Sequence, residues 1–291
     1  MIHGSIVAIV TPFKNGDIDE NALKDLIEFQ IENGTHGIVP CGTTGESPTL
    51  SHEEHEYVIE LTVKAVKKRI PVVPGTGSNS TDEAIRLTKF AEKVGADAAL
   101  SIVPYYNKPT QEGLYLHFKK IASQVKIPII LYNVPGRTGV SIAPETIARL
   151  ANDCKNIIGV KEATGSVQMA SRILYLCGMD FIVLSGEDAI NFPLLTIGGK
   201  GFITVTANVV PRDVAGLYNF YVRGEFNQAR ELHYKLHPLN EAMFIETNPI
   251  PVKVALSIMG KVRNEFRLPL CPMAPGNLEK LKTALKQYGL I

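Results

Sequence analysis

Residues 157–165 read Ile157-Ile158-Gly159-Val160-Lys161-Glu162-Ala163-Thr164-Gly165. Four uncharged residues, three of them β-branched, run straight into a lysine. β-Branched residues favour strands. A continuous apolar run, rather than an alternating one, marks a strand covered on both faces. Seven further segments read the same way: SIVAIV from Ser5, HGIVP from His36, PVVPG from Pro71, DAALSIVP from Asp97, PIILYN from Pro128, FIVLSG from Phe181 and GFITVT from Gly201. Consecutive starts lie 20 to 35 residues apart. A strand, its crossover helix and two loops occupy roughly 30 residues.

Helical pattern fills the gaps. Ser51-x-x-Glu54 reads as a capping box before Val58, Leu61 and Ala65, which share one face. Ser80-x-x-Glu83 repeats the device before Ala84, Leu87, Ala91 and Val94. Pro144 suits a first helical position. Eight strands alternating with helices predict an α/β chain folded as a (β/α)8 TIM barrel, typically about 250 residues. A doubly wound open sheet is the alternative. The strand signal stops near residue 224. Residues 1–224 are therefore read as the barrel. Residues 225–291, with breaks near Asn248-Pro249 and from Pro269 to Pro275, are read as a C-terminal helical region packed on it.

The bulk numbers narrow the function. The chain has 291 residues, 45% of them hydrophobic, with 30 basic and 29 acidic residues and a net charge of +1. That balance gives no support for nucleic acid or an anionic membrane as partner. No uncharged run approaches the ~20 apolar residues of a membrane span, and no basic segment precedes the first apolar run as a signal peptide requires. Cys41, Cys154, Cys177 and Cys271 are scattered without a C-x-x-C pair. Structural zinc wants clustered ligands, so the cysteines read as reduced thiols of a cytoplasmic protein and no metal is expected.

In such barrels the chemistry sits at the C-terminal strand ends. Lys161 ends its strand. A lysine there is a snorkelling strand end, a partner for Glu162 or Glu187, or an amine held in a dry place. Burial lowers a lysine's pKa from about 10.4, and a neutral amine attacks ketones to form a Schiff base. Tyr132 lies one βα unit earlier, so its strand should neighbour that of Lys161, with axes about 4.8 Å apart. Its phenol either relays protons or is a satisfied core hydroxyl. Gly42-Thr43-Thr44-Gly45 is a turn able to present backbone N–H groups to a small carboxylate, or a plain βα turn. Arg137 suits a bidentate grip on a second carboxylate, or is a surface arginine.

Other motifs fail on spacing. The histidines of His52-Glu53-Glu54-His55 are three apart, not four as in the zinc-protease motif. Gly75-Thr76-Gly77 lacks the third glycine of a dinucleotide fingerprint. Gly198-Gly199-Lys200-Gly201 lacks the phosphate-loop spacing. No cofactor motif remains, as suits a lysine that supplies its own electron sink.

Five motifs then carry a resemblance. GTTGES at 42–47, PYYNKP at 104–109, LYNVPGRTG at 131–139, KEATG at 161–165 and GFITVTANV at 201–209 closely resemble, in order and across the chain, the dihydrodipicolinate synthase family. That family lies within the N-acetylneuraminate lyase, or class I aldolase, superfamily. The resemblance implies condensation of pyruvate with L-aspartate 4-semialdehyde to 4-hydroxy-tetrahydrodipicolinate, the committed step to diaminopimelate and lysine, without a cofactor. It implies Lys161 as the Schiff-base lysine, Tyr132 and Thr44 in a proton relay, and Tyr106 completing that relay from a neighbouring subunit. Thr43 and Thr44 would hold the pyruvate carboxylate, Arg137 the semialdehyde carboxylate, and Ile203 would border the pyruvate. Ser47, His52, His55, Asn79, Glu83 and Tyr105 match the feedback site for L-lysine in members that lysine inhibits. The implied assembly is a homotetramer, a dimer of tight dimers. Two rival readings are a sugar-acid lyase on the same Schiff base and a non-catalytic pyruvate or amino-acid sensor.

Overall fold

A computed structural model describes residues 2–291. The strands are β1 (Gly4–Ala8), β2 (Phe13–Lys14), β3 (Asp17–Ile18), β4 (Gly37–Val39), β5 (Ala99–Ile102), β6 (Ile129–Asn133), β7 (Ile157–Glu162), β8 (Ile182–Ser185) and β9 (Gly201–Thr204). Seven of them form one parallel sheet in the order β4-β1-β9-β8-β7-β6-β5. β2 and β3 pair as a small antiparallel hairpin. Its turn, Asn15-Gly16, has positive φ at both residues (57° and 89°), as a two-residue hairpin loop demands.

The segment expected as the third barrel strand, residues 71–75, forms only isolated bridges, Ile38 with Val72 and Gly75 with Leu100. The reason is compositional. Pro71 and Pro74 have no N–H to give a ladder. Their carbonyls still accept, Pro71 O from Ile38 N at 2.9 Å and Pro74 O from Leu100 N at 2.9 Å. The segment therefore bridges edge strands β4 and β5 and closes the sheet into a (β/α)8 barrel. Gly75 is required in that seam: a Cβ there would sit 2.3 Å from the Cys41 carbonyl oxygen.

The barrel interior holds Ile6, Ala8, Val39, Val73, Leu100, Ile130, Leu184 and Ile203. The outward-facing residues of the same strands, such as Val7, Ile38, Leu131, Val160 and Val183, pack against the surrounding helices. Both faces are thus buried, which is why the strands read as unbroken apolar runs. The helices His52–Val66, Thr81–Lys93, Gln111–Ala122, Pro144–Asp153 and Val167–Cys177 occupy the predicted gaps. No helix among the described residues is long and apolar enough to cross a membrane.

The capping predictions divide. At Ser51 both halves of the box form: the side chain accepts from Glu54 N at 3.2 Å, and Glu54 Oε2 accepts from Ser51 N at 2.8 Å. At Ser80 only the first half forms, at 3.5 Å. The Glu83 carboxylate instead accepts from the Ser78 hydroxyl, and Ser80 N donates to Ser78 Oγ at 3.0 Å. A serine two residues upstream thus takes the place that Glu83 was expected to fill, freeing that carboxylate to face a cavity. Pro144 does open its helix. Helix Pro211–Val222 follows β9 as a barrel helix, and helices Phe226–Ala242, Ile250–Ile258 and Pro275–Tyr288 come after it.

Candidate active site

β7 brings Lys161 to its C-terminal end beside Tyr132 of β6. The two are register partners, and Lys161 Nζ lies 4.2 Å from the centre of the Tyr132 ring. One step on, Asn133 pairs with Glu162. Asn133 Nδ2 donates to Glu162 Oε2 at 2.8 Å, and Thr164 N donates to Oε1 at 2.7 Å. Glu162 is wholly buried, and burial pushes its carboxyl above the usual range. It is committed to these donors rather than to its neighbour. Lys161 is only 7% exposed. Among the described residues its ammonium has no hydrogen-bond acceptor and no carboxylate oxygen within 4.0 Å. Structural ion pairing therefore does not account for this lysine.

Lys161, Tyr132, Thr43, Thr44 and Arg137 line one cavity of about 370 Å³ at the barrel mouth, with Gly186, Glu187 and Asn248. Glu187 is half-buried, and burial, reinforced by the neighbouring Asp188 charge, raises its carboxyl pKa. The Gly42–Glu46 turn folds on itself: Gly45 N donates to Gly42 O and Glu46 N to Thr43 O, each at 3.1 Å. The amides of Thr43 and Thr44 donate to no acceptor among the described residues. Two free N–H groups on a turn at a cavity wall suit a carboxylate. Cys41 and Glu46, on either side of the turn, both sit at φ 54°. Left-handed non-glycine residues store strain, which is tolerated where surrounding structure fixes them.

The remaining candidates fall elsewhere. Ile203 lies in the barrel interior, outside the lining of this cavity, which Val205 does reach. Tyr106 is 90% exposed, at φ 70°, and touches neither cavity. Ser47, His52, His55, Glu83 and Tyr105 line a second cavity of about 440 Å³, which Asn79 does not reach. His52 Nε2 is 3.2 Å from Glu83 Oε1. His55 Nε2 donates to Gly75 O at 2.8 Å, and burial holds its imidazole below the usual range. Thr43 and Tyr132 belong to the walls of both cavities, so the two share a partition.

Asn248 escaped the sequence reading, where it marked only a helix break. Its Nδ2 donates to Thr44 Oγ1 at 3.0 Å, and its carbonyl accepts from an Arg137 guanidinium N–H at 3.2 Å. The C-terminal segment thus supplies a wall of the site.

Comparison with known proteins gives the family and the fold. The dihydrodipicolinate synthetase family matches residues 1–288. The 4-hydroxy-tetrahydrodipicolinate synthase of Thermodesulfovibrio yellowstonii is 63% identical over 291 residues, covering both chains in full. The structure of the Acinetobacter baumannii dihydrodipicolinate synthase complexed with pyruvate superposes with a TM-score of 0.97 at 49% identity, over 100% of each chain. That of the Cyanidioschyzon merolae enzyme with lysine bound superposes with a TM-score of 0.96 at 38% identity, over 99% of each. This chain belongs to the dihydrodipicolinate synthetase family.

Proposed function

We propose that the chain condenses pyruvate with L-aspartate 4-semialdehyde to 4-hydroxy-tetrahydrodipicolinate through a Schiff base on Lys161, and that L-lysine inhibits it. The observation that carries the reading is Lys161, 7% exposed at the cavity wall, in register with Tyr132 and with no carboxylate oxygen within 4.0 Å among the described residues. Its neutral form attacks the pyruvate ketone, and loss of water leaves an imine. Loss of a methyl proton gives the enamine, whose carbon attacks the aldehyde. The aldehyde oxygen takes up a proton and becomes a hydroxyl. The substrate's own amine then attacks the imine carbon, closes the ring and expels Lys161. One water leaves overall. Tyr132 and Thr44 relay the protons. The Thr43 and Thr44 amides hold the pyruvate carboxylate, and Arg137 holds that of the semialdehyde. Side-by-side assays should show turnover of pyruvate with aspartate semialdehyde and none of N-acetylneuraminate. The reverse outcome would favour the sugar-acid lyase. Pyruvate binding without turnover of any aldehyde would favour the sensor.

Gly186 gives a sharper test. A Cβ there would lie 2.6 Å from Ala163 Cβ and 2.9 Å from Lys161 Cε. Gly186→Ala must therefore displace the lysine stem. Misplacement by about 1 Å costs about 10²-fold in rate, so kcat is expected to fall by about that factor in initial-rate assays. An unchanged kcat would show that the amine tolerates displacement.

Tyr106 supports assembly. An aromatic side chain left 90% exposed on a left-handed residue supports the reading in which Tyr106 reaches a second subunit and completes that subunit's relay. A dimer of tight dimers accommodates this. The contacts of Asn248 with Thr44 and Arg137 support reading residues 225–291 as an extension packed on barrel 1–224, not an independent domain.

The second cavity is the seat for L-lysine. Glu83 takes the ammonium and Tyr105 a polar end, while Asn79, outside the cavity wall, makes no contact with it. Calorimetry is expected to register lysine binding, and Glu83→Gln to weaken it at least about tenfold, or 1.4 kcal/mol. No heat with the unaltered protein would end this assignment.

A further inference from the structure

Glu46 and Lys253 are both fully buried, and Lys253 Nζ donates to Glu46 Oε1 at 2.5 Å. The ammonium lies 4.3 Å from the Phe13 ring centre and 5.1 Å from that of Phe266. Arg267 N reaches Glu46 Oε2 at 3.4 Å. This pair takes no part in the chemistry above. Nor is a buried pair an efficient stabiliser, since well-packed apolar residues of similar volume often serve as well or better. Its position is informative. Glu46 closes the Gly42–Glu46 turn, at φ 54°. Lys253 sits five residues beyond Asn248, whose amide grips Thr44 Oγ1 on the same turn. The carbonyl of Gly45 is held independently by Thr11 Oγ1 at 2.7 Å.

We infer that Glu46 and Lys253 are positioning residues: through their ion pair the C-terminal segment fixes the Thr43–Thr44 turn where its amides meet the substrate carboxylate. The inference rests on the assignment of Lys161 and the turn to pyruvate. A point charge buried at the end of a turn has one low-energy partner position, whereas an apolar contact can slide. The pair therefore sets the register of the turn against Asn248 and Lys161.

Two variants separate position from stability. Glu46→Gln/Lys253→Met removes both charges at similar volume. Glu46→Asp keeps both and shortens the tether by one methylene. Both are expected to raise the KM for pyruvate at least threefold, the double variant about tenfold, with circular-dichroism melts near that of the unaltered protein. Borohydride should still trap pyruvate on Lys161 at saturating concentration. A pyruvate KM unchanged in whichever of the two folds would overturn the inference and leave the pair a stability element. Failure of borohydride trapping in the unaltered protein would instead strike the underlying Schiff-base assignment.

Discussion

Lys161→Met is expected to abolish turnover, by a factor on the order of 10⁴ or more, while leaving the melting temperature unchanged or higher. The first half follows from chemistry. A thioether cannot form an imine, and removing the residue proposed to bond to the substrate would remove the covalent route altogether. The second half follows from surroundings. Lys161 keeps its ammonium beside the Tyr132 ring, with no carboxylate within 4.0 Å among the described residues. Methionine has similar length and no charge to desolvate, so the fold loses a cost rather than a contact. Active sites commonly hold such residues at the expense of stability. Rate assays and a thermal melt on the same sample check both halves. A variant that melts far lower would mean that the ammonium is structurally paired after all.

Lys253→Met should do the opposite to stability. Here the cation has a partner, and removal strands the Glu46 carboxylate where neither side chain has any exposure. Breaking a buried pair from one side costs about 3–5 kcal/mol. For a chain of this size that corresponds to a fall in melting temperature on the order of 10 °C. The contrast between two buried lysines is the informative result. Lys253 has a carboxylate at 2.5 Å, which its removal alone would strand. Lys161 has none within 4.0 Å among the described residues, so its removal is expected to spare the fold. Equal melts for the two methionine variants would erase that distinction.

Much of the fold was legible because parallel strands buried on both faces leave unbroken apolar runs, spaced by the length of a crossover helix. The same spacing made Tyr132 and Lys161 neighbours, and the register bears it out. The seam at residues 71–75 was legible as a strand but not as a weakened one, though Pro71 and Pro74 carried the signal. The missing half of the Ser80 box was not legible, because Ser78 competes for Glu83 by a local contact that the motif does not encode. Asn248 and Lys253 were least visible. Their partners Thr44 and Glu46 lie 204 and 207 residues away. In sequence an asparagine before proline reads as a break, and a lysine in a helix reads as solvated. Only the closed barrel brings the C-terminal segment over the turn.

The central claim is that Lys161, not another amine, bonds to pyruvate. Incubation with pyruvate and sodium borohydride, followed by peptide mass spectrometry, tests it directly. The account predicts a reduced pyruvate adduct on the peptide carrying Lys161 and none in Lys161→Met. No adduct, or an adduct on a different lysine, would contradict it.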